Sequence, residues 1–128
     1  MTLVLDSGGL SALAVDRAFL ETLLRSDPGV PLVPAVVLVE ALTGDHRRDH
    51  AVNRLLRRCT VVPLVEVVAR SAARLRTATG RASTISAADA VVAAQALSLV
   101  FPRVVTSDPE DLQRLSAAST RGFRVVAV

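Results

Sequence analysis

At 128 residues the chain is long enough to bury a real hydrophobic core without staples, and residues 1–128 are read as a single domain. Its 51% apolar content excludes a disordered chain, and three Phe with no Trp or Tyr argue against base-stacking platforms and aromatic cages. The net charge of +3 rests on fifteen arginines and no lysine; it suits a polyanionic partner, although all-arginine usage follows equally from genomic composition.

In chain order, Leu3 to Leu5 reads as a short buried strand ended by the turn-prone Asp6-Ser7-Gly8-Gly9. Leu10 to Arg25 has helical apolar spacing, with a break near Val15-Asp16. Leu13 and Leu20 on this stretch suit either a core or an interface. Asp27-Pro28-Gly29 is a turn and Val30 to Val33 a short strand. Pro34 fits the first position of a helix that Thr43-Gly44 closes.

His46 to Arg58 is predicted as an arginine-rich helix, and Thr60 to Val62 as a strand. Glu66 to Thr79 is an amphipathic helix, Gly80 to Thr84 a loop, and Ser86 to Leu99 an Ala-dense helix suited to close packing on a sheet. Arg103 to Thr106 is a strand, Pro109 to Ala118 a helix and Phe123 to Val126 a final strand. Alternation of short strands and helices predicts an α/β fold with a parallel sheet and helices on both faces. Ligands then gather at the carboxyl ends of strands, where Asp6 and Asp108 fall.

The lone Cys59 excludes an internal disulfide and reads as a small buried hydrophobe. No apolar run approaches a membrane span and the N-terminus lacks a signal pattern, so a cytoplasmic protein is expected. His46 and His50 share an i, i+4 face that could ligate zinc, yet their neighbours Arg47, Arg48 and Asp49 read as a solvated helix start.

Four acids, Asp6, Glu40, Asp89 and Asp108, lie against apolar stretches, where burial is costly without a compensating positive charge. Three have structural explanations. Asp6 or Ser7 could cap the first helix, Asp108-Pro109 is a good N-cap and N1 pair, and Ser86-Ala87-Ala88-Asp89 matches a capping box. Glu40 caps nothing: it sits inside Ala35 to Leu42, towards the C-terminal end of its helix, where the dipole disfavours negative charge. A structural role for it would need a buried arginine. A divalent ion shared by all four is the alternative.

The segments Val4-Leu5-Asp6-Ser7, Val39-Glu40-Ala41-Leu42-Thr43-Gly44, Ala88-Asp89-Ala90-Val91-Val92-Ala93-Ala94 and Val105-Thr106-Ser107-Asp108-Pro109-Glu110-Asp111-Leu112 resemble, in order, the acidic motifs of PIN-domain ribonucleases, with the VapC-type toxins of bacterial toxin–antitoxin pairs as the best match. The resemblance implies a three-layer α/β/α domain with a short central, mainly parallel sheet. It implies Mg²⁺ or Mn²⁺ held by Asp6, Glu40, Asp89 and Asp108, with Ser7 and Thr106 as supporting hydroxyls. It further implies metal-dependent endoribonuclease activity leaving a 5′-phosphate and a 3′-hydroxyl, an antitoxin partner and a homodimer.

Oxygen ligands suit these hard ions, which supply both an activated water and charge relief. Arg47, Arg48, Arg54, Arg57 and Arg58 are a solvated helix face by default, or as a set a guide for RNA phosphates. A receiver domain and a P-loop NTPase both need a lysine that the chain lacks, and Ser7 and Ser107 lack a His for a triad. The remaining rival is a non-catalytic PIN-like module that binds RNA or protein.

Overall fold

The computed structural model describes residues 2–128. Five strands form one sheet: β1 (Thr2–Leu5), β2 (Leu32–Pro34), β3 (Thr60–Val62), β4 (Pro102–Thr106) and β5 (Arg124–Ala127). Their order is β3-β2-β1-β4-β5 and every pairing is parallel. The expected mainly parallel sheet is therefore wholly parallel among the described residues.

Seven helices connect them: α1 (Ser7–Val15), α2 (Arg17–Ser26), α3 (Val37–Ala41), α4 (His50–Leu56), α5 (Glu66–Ala78), α6 (Ala87–Leu97) and α7 (Pro109–Ala118). From β1 the chain steps outwards through β2 to β3, then crosses back to β4 and on to β5. Right-handed crossovers in opposite directions place helices on opposite faces. Accordingly α1 packs against α2, α3 and α4, while α5, α6 and α7 pack against one another. The result is a three-layer α/β/α domain.

The core is aliphatic. Val4, Leu5, Val104 and Val105 of the central strands are fully buried, with Leu10, Val33, Ile85, Leu112 and Leu115 around them. Six of the apolar residues of α6, from Ala90 to Ala94 and Ala96, are buried, because the helix lies between the sheet and its neighbours α5 and α7. Leu13 and Leu20 are 1% and 4% exposed, so both belong to the core and not to an interface. At the amino end of the sheet, Arg103 of β4 pairs with the buried Asp27 that closes α2, joining two layers.

Local departures from the expected boundaries have physical causes. Gly8 and Gly9 are not a turn but the first residues of α1, which starts directly after β1. Pro34 ends β2 rather than opening a helix, paired beside Val62 with no amide hydrogen to lose, and α3 is only a five-residue helix. The next helix begins at His50 and not at His46, because Asp49 turns back on the preceding loop. Its carboxylate accepts from the Thr43 N–H and hydroxyl, each at 2.9 Å, and from the Gly44 N–H at 2.9 Å. Those bonds, the Thr43 amide foremost, hold the Asp49 carboxyl below the usual carboxylate range.

The glycine pair is a requirement of packing. A Cβ at Gly9 would lie 2.1 Å from the Val105 carbonyl oxygen, and one at Gly8 would lie 1.9 Å from the Ser107 hydroxyl. The backbone of α1 thus rests directly on the end of β4. Gly9→Ala must push these elements apart, since the obstacle is backbone. It is expected to cost about 2–3 kcal/mol, read as a lowered Tm in thermal unfolding. A Tm equal to wild type would show that the contact is dispensable.

Candidate active site

β1 and β4 are adjacent, parallel and central, and their connections leave towards opposite faces. That is the topological switch point of a doubly wound sheet, where a crevice opens beyond the strand ends. Asp6 follows β1 and Asp108 follows β4 at this point. Glu40 enters on α3, just beyond the end of β2, and Asp89 lies in the first turn of α6.

The four acids are not equally buried. Asp6 is 6% exposed, Asp89 is half-buried, and Glu40 and Asp108 are exposed. The expectation of four acids pressed into the core therefore holds for Asp6 alone. Strand-end loops face water, and the apolar residues beside Glu40 are themselves partly open: Val39 is 81% exposed.

Capping consumes little of this charge. One Asp6 oxygen accepts from the Gly9 N–H at 2.7 Å, so Asp6 does cap α1. At α6 the cap is the Ser86 hydroxyl, which accepts from the Asp89 N–H at 3.0 Å. Asp108 occupies the N-cap position before Pro109, yet its side chain makes no capping bond. Its backbone is held instead by the fully buried Thr106 hydroxyl, which accepts from the Asp108 N–H at 3.0 Å and donates to its carbonyl at 3.2 Å. No ion pair among the described residues includes Glu40, which removes the buried-arginine explanation.

The carboxylates sense one another. Burial raises the Asp6 carboxyl above its ordinary range; the Thr106 hydroxyl and Gly9 N–H oppose this, and Glu40 and Asp108 push it up further. Burial also pushes Asp89 up to about 6, reinforced by Asp6, Asp111 and Glu40 and opposed by the Ser86 hydroxyl. All members of the expected quartet are thus in one electrostatic neighbourhood. They are not clenched: among the described residues no three His, Cys, Asp or Glu side chains form a ready-made ion-holding group. The same statement covers His46 and His50, so the zinc alternative gains no third ligand.

Asp111 is the residue that sequence reasoning passed over. It stands one helical turn after Asp108, half-buried, close enough to raise Asp89. Its spacing of three from Asp108 on a helix was the available signal. Arg114 binds it at 3.4 Å while holding Glu110 at 2.6 Å, so part of its charge is already answered. The loop before Asp89 is also better defined than its composition suggests. Ile85 is fully buried, and the Arg76 guanidinium donates to its carbonyl at 2.6 Å, which fixes the start of α6.

The arginines expected to guide RNA divide. The turn carrying Arg47 and Arg48 follows α3 at the acidic end and is exposed. The helix α4 then descends, so Arg57 and Arg58 reach the amino end of the sheet, where the Thr60 N–H bonds to the Pro31 carbonyl at 2.8 Å. Arg58 is paired there with Glu21 at 2.8 Å, and Arg54 shares a small groove with Arg17 and Leu55. The set does not act as one face towards the acids.

The sequence matches the PIN domain family model over residues 3–118. The chain belongs to the PIN domain family. None of the curated proteins matches it in sequence. Among solved structures, this PIN domain is similar to a chain of the DNA-bound VapBC complex from Salmonella typhimurium, with a TM-score of 0.74, 16% identity, and 99% and 98% of the two chains covered. It is also similar to one of VapBC2 from Rickettsia felis bound to a fragment of promoter DNA, at TM-score 0.72 and 14% identity, covering 100% and 99%. A third is VapBC-1 from nontypeable Haemophilus influenzae, at TM-score 0.69 and 17% identity, covering 99% and 98%. At these identities the likeness is one of fold.

The raised Asp89 gives the PIN domain a pH signature. The folded chain binds that proton more tightly than the unfolded chain, so the associated stability is complete below the ordinary value of 3.8 and is lost as pH rises through about 6. Asp89→Asn removes this loss. In metal-free buffer the Tm of wild type should fall relative to that of the variant as pH rises from 3.8 to about 6. A constant difference across that interval would contradict the assignment.

Proposed function

We propose that this PIN domain is a metal-dependent endoribonuclease and the toxin of a toxin–antitoxin pair. The observation that carries the reading is the gathering of Asp6, Glu40, Asp89 and Asp108 at the β1/β4 switch point, with carboxylates largely unspent on caps and ion pairs. The donor set fits Mg²⁺ or Mn²⁺: hard oxygens only, with Asp6 desolvated and in no ion pair among the described residues. When bound, such an ion lowers the pKa of a water and neutralises charge on the in-line transition state.

The chain's own contribution is placement. Asp6 is fixed by the Gly9 N–H and the Thr106 hydroxyl, and it and Asp89 would together hold the principal ion. Asp108, steadied by Thr106, completes the set from the β4 side. Glu40, on the short α3, would hold a second ion or orient the attacking water. Ser7, half-buried beside Asp6, is the supporting hydroxyl on the β1 side. Arg47 and Arg48, exposed on the turn after α3, would be the arginines that meet RNA at this end.

Complexes named VapBC among the fold neighbours support a cognate antitoxin partner. For a homodimer, Leu13 and Leu20 are buried, and the open apolar residues of the region include Val15 of α1, 80% exposed, and Val39, Leu64, Val65 and Val67, 81%, 45%, 48% and 69% exposed. No helix among the described residues is long and apolar enough to cross a membrane. A second reading, a PIN-like module that binds without catalysis, draws on the absence of a ready-made three-acid group.

Two outcomes separate the readings. Millimolar Mn²⁺ is expected to raise the Tm, because an ion that binds only the folded chain and relieves carboxylate repulsion stabilises it by mass action. An unchanged Tm would count against a shared site. RNA cleavage should be EDTA-sensitive and should fall at least ~100-fold in Asp89→Asn while the fold persists by circular dichroism. An Asp89→Asn protein as active as wild type would sink the catalytic reading.

A further inference from the structure

The end of the sheet opposite the acids carries a groove of about 460 Å³ bounded by Phe101, Arg103, Ser116, Arg121, Phe123 and Arg124. It opens where β4 and β5 begin, so it is separated from Asp6 and Asp108 by the length of the strands. Its charge is one-sided. Arg103 is engaged by Asp27, but Arg121 and Arg124 are exposed and enter no ion pair among the described residues. Unpaired guanidiniums on one groove form a standing positive field that a phosphate backbone would satisfy.

The groove also holds the most exposed of the three phenyl rings. Phe101 is 72% exposed, whereas Phe19 and Phe123 are half-buried. Its backbone has φ of 50°, a left-handed conformation that a bulky residue rarely adopts, which presents the ring outwards just before Pro102. The opposite wall is rigid. The Ser116 hydroxyl donates to the Phe123 carbonyl at 2.9 Å and accepts from its N–H at 2.9 Å, and the Gly122 N–H bonds to the Ser119 hydroxyl at 2.8 Å. This ties the turn carrying Arg121 to α7.

We infer that this groove is a second RNA-binding site, in which Arg121 and Arg124 hold phosphates of a single strand and Phe101 stacks on an unpaired base. Guanidiniums and a ring together match a single-stranded nucleic acid, in which every nucleotide offers both an anionic phosphate and a π face; polyglutamate offers only the charge. The inference rests on the ribonuclease reading for its substrate class. It adds a contact remote from the acids, so that the enzyme selects RNA long or folded enough to touch both ends of the domain.

The test measures fluorescence anisotropy of a labelled single-stranded RNA on the Asp89→Asn protein, which removes cleavage from the readout. Adding Arg121→Glu and Arg124→Glu should weaken binding and reduce the slope of log affinity against log salt by about 1.4, some 0.7 per phosphate released. Phe101→Ala should weaken binding about ten-fold and leave that slope unchanged. Should charge reversal disturb folding by circular dichroism, Arg121→Gln and Arg124→Gln supply the same readout.

No detectable RNA binding, or affinity and slope indifferent to these changes, overturns the inference. So does polyglutamate binding the groove as tightly as RNA, which would make it a surface for acidic protein. Indifference in a protein whose wild type still cleaves RNA removes the groove alone. Full groove effects in a protein that never cleaves RNA remove the nuclease reading and keep the groove.

Discussion

Everything at the acidic end depends on how closely α1 approaches the end of β4. With no side chains at positions 8 and 9, the helix backbone lies against Val105 and Ser107. The Gly9 amide then reaches the Asp6 carboxylate at 2.7 Å, and Asp6 is fixed beside the strand end that leads to Asp108. The parallel register of β1 on β4, with Leu5 opposite Val105, sets the height at which the two acids emerge. Larger residues would separate the helix from the strand, and the same displacement would part the carboxylates. Packing and chemistry here share one contact.

Charge is distributed along the sheet axis. One end collects carboxylates, which raise one another's proton affinity at Asp6 and Asp89. The other end collects guanidiniums, at Arg57 and Arg58 beside β3 and at Arg103, Arg121 and Arg124 beside β4 and β5. A net charge of +3 hides this separation. The arrangement gives the domain opposite behaviour at its two ends towards a polyanion. Close carboxylates disfavour an anion near them, whereas exposed guanidiniums favour one.

Much of this was legible in the sequence, for reasons that differ by element. β3 and α7 fall where composition placed them, because Thr60 to Val62 is short and β-branched and Pro109 opens a helix without losing a hydrogen bond. The start of α1 was legible only in part: Asp6 could be read as its cap, but not the helical state of Gly8 and Gly9. Two glycines read locally as a turn, and only the proximity of β4 makes them helical. The 43–49 loop escaped for a similar reason, since Asp49 bonds six residues back and no helical period anticipates that. For the site, the order of Asp6, Glu40, Asp89 and Asp108 on a parallel α/β chain, with their flanking residues, pointed to four acids that lie in one electrostatic neighbourhood. Their unequal exposure, the role of Thr106 and the proximity of Asp111 depend on three-dimensional packing.

The brevity of α3 has a mechanical consequence. Asp6, Asp89 and Asp108 are rooted in, or directly beside, long helices and central strands. Glu40 rides on a five-residue helix whose far side is moored by the Asp49 hydrogen bonds at Thr43 and Gly44. The position of Glu40 therefore depends on a loop that carries none of the four acids, so that a change at Thr43 or Asp49 would be felt at the acidic end without touching the sheet or the long helices.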